Sequence, residues 1–125
     1  MLTLFTNITS ELTELEKATI VPMLIDTLRH TNSKNRYTGR NISGWFKACG
    51  YDVSGPRLRK MVNYIRVMNL LAPFVLIGAS NGYYVTDDAK KVAEQIESIE
   101  GRIDSMKCVV DSLKAQKQNL IHNKN

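Results

Sequence analysis

Residues 54–71, SGPRLRKMVNYIRVMNLL, are typical of one amphipathic helix with clear start signals. Ser54 is a good N-cap, and Pro56 lies in the first turn, where its missing N–H costs little. At 100° per residue the apolar side chains gather on one side of the helix. This packing face is predicted to comprise Leu58, Met61, Val62, Ile65, Met68 and Asn69. We therefore expect a helix that continues to about Asn69.

The segments on either side of this helix predict a second helix and a hairpin. Thr38 or Gly39 opens a helix in which Trp45 and Phe46 are expected in the core, and Gly50 ends it in a left-handed conformation. After Pro73, the sequence favours strands at residues 74–77 and 83–86, joined by a turn at residues 79–82 that contains Asn-Gly. Residues 37–38 could add a one-bridge strand to that hairpin.

Upstream, Thr13 and Glu16 have the spacing of a capping box and predict a first helix to about His30. Pro22 lies inside it and predicts either a bend or two short helices. The order of elements predicts a mainly α (α+β) chain, namely a winged helix-turn-helix at residues 13–86 with a small β-hairpin. An N-terminal arm at residues 1–12 precedes it, and a long C-terminal helix at residues 87–125 follows.

The C-terminal helix carries a heptad pattern typical of a coiled coil. Apolar residues alternate at spacings of four and three from Val92 to Leu120, with Lys117 as the polar exception. We expect a homodimer through this seam, with dimerisation residues Ile96, Ile99, Ile103, Met106, Val110 and Leu113. The flanking charges do not favour a simple parallel zipper, because Arg102 would face Lys107. An antiparallel pair, or a helix partly docked on its own domain, remains open.

The net charge of +5 is concentrated in the middle of the chain. Residues 29–86 hold nine basic side chains against Asp52 alone. A basic block of that density within a folded segment is typical of proteins that bind a phosphate backbone. The alternative is a solvated basic face on a protein of high isoelectric point.

Composition narrows the remaining classes of protein. No apolar run is long enough to span a bilayer, and residues 1–16 lack the basic start of a secretory signal, so we expect a cytoplasmic protein. The two cysteines, Cys49 and Cys108, are expected to be reduced, partly buried thiols. His30 and His122 have no metal-ligand spacing, and no phosphate loop or nucleophile motif occurs. We expect no enzyme activity, no metal and no cofactor.

Three motifs carry a resemblance to a known family. They are the R-x-x-I-x-x-[IL]-R-type helix that stands at residues 59–66, the Gly82-Tyr83-Tyr84 hairpin, and the long helix from Asp87. Over residues 13–105 the chain resembles the small winged-helix proteins encoded by bacteriophages and related mobile elements. The resemblance implies that the helix bearing Arg57, Arg59, Lys60 and Asn63 faces the major groove of DNA. The hairpin tip departs from a usual minor-groove wing, because Ser80, Asn81 and Gly82 include no Lys or Arg.

These observations lead to a hypothesis of double-stranded DNA binding, sequence- or structure-directed, by a regulator or accessory replication factor of phage or mobile-element type. Arg and Asn side chains suit base edges in the major groove, and flanking cations and a helix N-terminus suit phosphates. The predicted DNA-binding residues are Arg57, Arg59, Lys60, Asn63, Arg66, Lys34, Arg36, Arg40 and Ser54. The rival hypothesis is a winged-helix protein-interaction or scaffold module that does not bind DNA.

Overall fold

The computed structural model describes residues 12–123 and divides the chain into two units, Met1–Asp88 and Ala89–Asn125. The predicted arm at residues 1–12 lies outside the described residues except for Leu12. The described chain is mainly helical, with a two-stranded antiparallel sheet and a long C-terminal helix, as the sequence predicts. Among these residues, no helix has the length and apolar character needed to cross a membrane.

The first helical segment begins at the predicted capping box. The Glu16 backbone N–H donates to Thr13 Oγ1 at 3.1 Å, and the Thr13 N–H donates to Glu16 Oε1 at 2.8 Å. A π-helical turn, Glu16–Ile20, leads into helix α1, Val21–Leu28. The wider π register lies directly before Pro22, which has no N–H to donate to the preceding turn. The predicted break at Pro22 is thus a change of helical register.

Helices α2, Gly39–Ala48, and α3, Gly55–Val67, begin at the signals in the sequence. Thr38 caps α2 in a capping box with Asn41, and Ser54 Oγ caps α3 by accepting from the Arg57 N–H at 3.3 Å. Gly50 has a φ of +92°, as predicted. Helix α3 ends earlier than expected, because Asn69 adopts a left-handed φ of +56°. Asn69 is therefore exposed, and its predicted place in the packing face is wrong.

Strands β1, Val75–Ala79, and β2, Gly82–Thr86, form the predicted hairpin with Ala79 paired to Gly82. The turn centre is therefore Ser80 and Asn81, one residue earlier than the Asn-Gly pair suggests. Gly82 instead permits a close approach: a Cβ there would lie 2.9 Å from the Tyr37 carbonyl oxygen, and its φ is +122°. Tyr37 forms the predicted single bridge to the hairpin, with its N–H donating to the Tyr83 carbonyl at 3.1 Å.

The hydrophobic core joins α1, α2, α3 and the hairpin within residues 12–88. Its largest fully buried side chains are Leu24, Leu28, Ile42, Leu58, Met61 and Ile65. Thr31 is a buried polar link between α1 and β2, since its hydroxyl accepts from the Val85 N–H at 3.0 Å and donates to the Leu28 carbonyl at 2.6 Å. Phe46 is buried as expected, whereas Trp45 is 45% exposed and stacks edge-on against Tyr37 at 4.8 Å. The prediction that Trp45 lies in the core is wrong.

Helix α4, Ala89–Asn123, is one continuous helix of 35 residues that contains no buried residue. Its heptad seam is open to solvent. The exposed seam residues are Ile96, Ile103, Met106, Val110, Leu113 and Leu120, with exposures from 47% to 68%. Ile99, the remaining predicted dimerisation residue, is half-buried. The helix therefore presents a long apolar stripe.

Candidate nucleic-acid interface

The solvent-facing side of α3 presents part of the predicted basic face. Arg59 and Asn63 are exposed and lie one helical turn apart, and Lys60 is half-buried beside them. Ser54, at the start of the helix, is also exposed. Because residues four apart share one face of a helix, Arg59 and Asn63 point in the same direction. This face offers a guanidinium fork and a carboxamide, the two groups that read guanine and adenine edges in a major groove.

Arg57, by contrast, belongs to an ion pair inside the domain. Its Nε donates to Glu16 Oε2 at 2.8 Å, and its Nη2 contacts Glu16 Oε1. The Arg57 side chain is 32% exposed and that of Glu16 only 8%. A bidentate pair of this kind fixes the orientation of the guanidinium. Arg57 therefore joins the start of α3 to the first helical segment.

The Glu16 carboxylate is stabilised in its charged form. The Arg57 hydrogen bond holds the pKa of Glu16 below its ordinary value of 4.5, against the opposing effect of burial. The backbone N–H of Thr13 also donates to this carboxylate. Glu16 thus has two roles, as the return partner of the helix cap and as the counter-ion of Arg57.

Arg66 also makes a contact inside the domain. Its Nε donates to the Leu76 carbonyl at 3.3 Å. A Cβ at Gly78 would lie 2.7 Å from Arg66 Nη2, so the missing side chain of Gly78 leaves room for the guanidinium. Arg66 therefore connects the last turn of α3 to β1, which positions the hairpin relative to α3.

Arg36 lies beside the hairpin tip, although it is distant from the tip in sequence. Its Nη1 donates to Asn81 Oδ1 at 2.7 Å, and its Nε donates to the Ser33 carbonyl at 2.8 Å. The guanidinium also lies 4.4 Å from the centre of the Tyr84 ring. The structure therefore supplies a cation next to the hairpin tip, which has none of its own.

Lys34 and Arg40 are exposed in the approach segment, residues 32–40. Lys34 lies in a tight turn in which Asn32 Oδ1 accepts from the N–H groups of Lys34 and Asn35, both at 2.9 Å. At Gly39, a Cβ would lie 3.4 Å from Leu58 Cδ2, so the start of α2 contacts α3. Arg40 directly follows Gly39 in the sequence, and Arg59 directly follows Leu58.

Sequence reasoning missed the partners of these arginines. Glu16 was identified only as a capping residue and Asn81 only as a turn residue, and Gly78 was assigned no role. The ion pair with Arg57 joins residues 41 positions apart, and the Arg36–Asn81 bond joins residues 45 apart. The one available signal was the imbalance of charge, since the first helical segment holds Glu14, Glu16 and Asp26 against Lys17 alone and precedes the basic block.

Other reactive side chains do not converge in residues 12–123. Cys49 and Cys108 are free thiols, but both are exposed, so the expectation of partial burial is wrong. Within the described ranges, no three His, Cys, Asp or Glu side chains are placed to hold a metal ion. A shallow hollow lies on the surface of α4 beside Gly101. It is lined by Ala93, Ile96, Glu97, Glu100, Gly101 and Asp104.

Comparison of the chain with protein-family models, with curated proteins and with solved structures finds no match.

Proposed function

We propose that this protein binds double-stranded DNA through the exposed face of α3, as a non-enzymatic winged helix-turn-helix protein. The observation that carries the proposal is the exposure of Arg59 and Asn63 on a capped helix that follows a short turn after α2. In that reading α3 enters the major groove and the hairpin is the wing. A regulator or accessory replication factor of a phage or mobile element is the role that the resemblance favours.

The local charges support this proposal. Arg59, Lys34, Arg40 and Lys47 are exposed, and Asp52 is the only acid among residues 29–86. Glu16 lies outside that block and pairs with Arg57, so these two charges offset each other and the exposed cations account for the positive surface. The exposed cations suit contacts with phosphates, and Asn63 suits a base edge.

Arg36 strengthens the proposed wing. A hairpin tip made of Ser80 and Asn81 has no charge, but Arg36 is fixed beside it by the bond to Asn81. A guanidinium with five N–H donors can keep these contacts and still present charge to a phosphate. We therefore assign Arg36 a role at the wing, and we leave the major-groove contacts to Arg59, Lys60 and Asn63.

Salt dependence tests the proposal. With about four phosphates neutralised, affinity for a duplex should fall about 100-fold between roughly 50 and 200 mM salt. Fluorescence anisotropy with a labelled duplex of mixed sequence, about 20 base pairs long, measures this. A protein that forms no complex with the duplex at the lower salt concentration would contradict the proposal.

A protein-interaction or scaffold module is the second candidate function. It is favoured by exposed apolar side chains in residues 12–88, among them Trp45, Val67, Phe74 and Val75. Large aromatic and apolar side chains are common at the centres of protein interfaces. Under this alternative, DNA binding would be absent and substitution of Trp45 or Phe74 would disrupt assembly with a protein partner.

A further inference from the structure

The apolar stripe of α4 fits a second copy of the same helix. Its seam residues alternate at the spacing of a coiled coil over about four heptads, and six of them are largely exposed. Gly101 and Cys108 lie on the outer side of the helix in this heptad register. A stripe of this length and regularity is sufficient for a coiled coil of two helices. The charges that flank the stripe determine whether the two helices run parallel or antiparallel.

Parallel pairing brings like charges together at three points. Lys117 occupies a seam position, so a parallel in-register dimer would place it against the partner's Lys117 in the apolar interface. Arg102 would also face the partner's Lys107, once on each side of the coil. Like charges placed opposite each other weaken a coiled coil, and a charge in the seam also loses hydration.

Antiparallel pairing removes all three conflicts in one register. In this register Ile103 lies opposite the partner's Met106, and Ile96 lies opposite the partner's Leu113. Glu100 then lies beside the partner's Lys107 on the flank, and symmetry forms this pair twice. Lys117 moves to the end of the overlap, opposite the partner's Val92, where its side chain can reach water.

We infer that α4 pairs with a second copy of itself as an antiparallel coiled coil, in the register that joins Glu100 to Lys107 across the dimer. This inference goes beyond the proposed function and does not depend on it, because pairing is measured without DNA. Antiparallel pairing places the two domains at opposite ends of the coil. The starts of the two helices are then about 45 Å apart along the axis.

Charge reversal tests the register on the full-length protein. Glu100→Lys and Lys107→Glu should each weaken the dimer about tenfold, since each converts two attractive pairs into two repulsive ones. The double variant should restore the dissociation constant measured by sedimentation equilibrium. Glu100→Lys is the more decisive variant. Within its own helix the substitution relieves repulsion with Glu97 and Asp104, so a weaker dimer would not result from a less stable helix.

The matched control is Lys114→Glu, which changes the same charge but faces the partner's Ala93 in this register, so it should have little effect. A parallel dimer would be strengthened by Lys107→Glu, since the new carboxylate would face Arg102. A register shifted by one heptad, so that Glu100 lies beside the partner's Lys114, would leave Lys107→Glu without effect and make Lys114→Glu disruptive. Either result overturns the inference, as does a monomer at high micromolar concentration.

Spin-label distances test the orientation independently. With Cys49 and Cys108 replaced by serine, a label at Gln118→Cys reports the separation of the two C-terminal regions by pulsed electron paramagnetic resonance. The antiparallel register predicts a distance of about 40 Å or more, because the two positions are far apart along the coil. A distance near 20 Å would indicate parallel pairing and overturn the inference.

Discussion

Replacing Arg59 and Lys60 together by alanine is expected to lower the affinity for duplex DNA about 30-fold. Both side chains lie on the proposed DNA-facing side of α3, and each charged contact is worth about 1 kcal/mol. The slope of log affinity against log salt should also become shallower by about 0.9 for each of the two side chains that contacts a phosphate rather than a base edge. Anisotropy titrations at several salt concentrations measure both quantities.

The matched control removes the same charge elsewhere. Arg29→Ala combined with Lys114→Ala changes the net charge equally, at exposed positions outside α3. Its affinity should change much less than that of the α3 variant. The single variant Arg59→Ala is a second control, because Lys60 is half-buried and its replacement could change the structure of α3. Equal losses in the control and in the α3 variant would show that only net charge matters and that α3 is misassigned.

Glu16→Gln is expected to lower the free energy of unfolding by about 2 kcal/mol. The substitution keeps the shape of the side chain but removes the charge that pairs with Arg57. Loss of one partner from a buried ion pair costs about 3–5 kcal/mol, and the partial exposure of Arg57 reduces that cost. Urea unfolding followed by circular dichroism measures the change. Glu14→Gln, at an exposed neighbouring position, is the control and should have little effect.

The same ion pair predicts how stability depends on pH. The pKa of Glu16 is lower in the folded protein than its ordinary value of 4.5, so its contribution is fully present above that pH. As the pH falls below 4.5 and through the folded pKa, the carboxylate is protonated and the contribution is lost. The unfolding free energy of Glu16→Gln should therefore fall less steeply in this window than that of the wild type. Parallel curves for the two proteins would contradict the assigned role of Glu16.

Local signals in the sequence predicted most of the elements. Thr13, Thr38 and Ser54 cap their helices through side-chain bonds that reach only three residues ahead. Gly50 ends α2 because glycine adopts positive φ at little cost. Such features depend on neighbours in the chain, so a single sequence contains the information needed to predict them.

The candidate site was harder to predict, because its geometry depends on contacts between distant residues. In the composition, Arg57, Arg66 and Arg36 are equivalent members of the basic block. In the structure, each of them donates a hydrogen bond to a different segment of the chain. Trp45 illustrates a second limit. It directly precedes the buried Phe46, and a rotation of 100° along the helix is enough to place it in solvent.

Mapping the DNA contact on the protein tests whether the exposed face of α3 binds DNA. A ¹⁵N-labelled sample is titrated with a mixed-sequence duplex at low salt, and backbone amide shifts are followed by nuclear magnetic resonance. We expect shifts concentrated at residues 54–63 of the α3 region and in the approach segment, residues 32–40, with little change at residues 103–123. Shifts confined to other surfaces, such as the region around Trp45 and Phe74, would contradict this expectation, and so would a spectrum unchanged by the duplex.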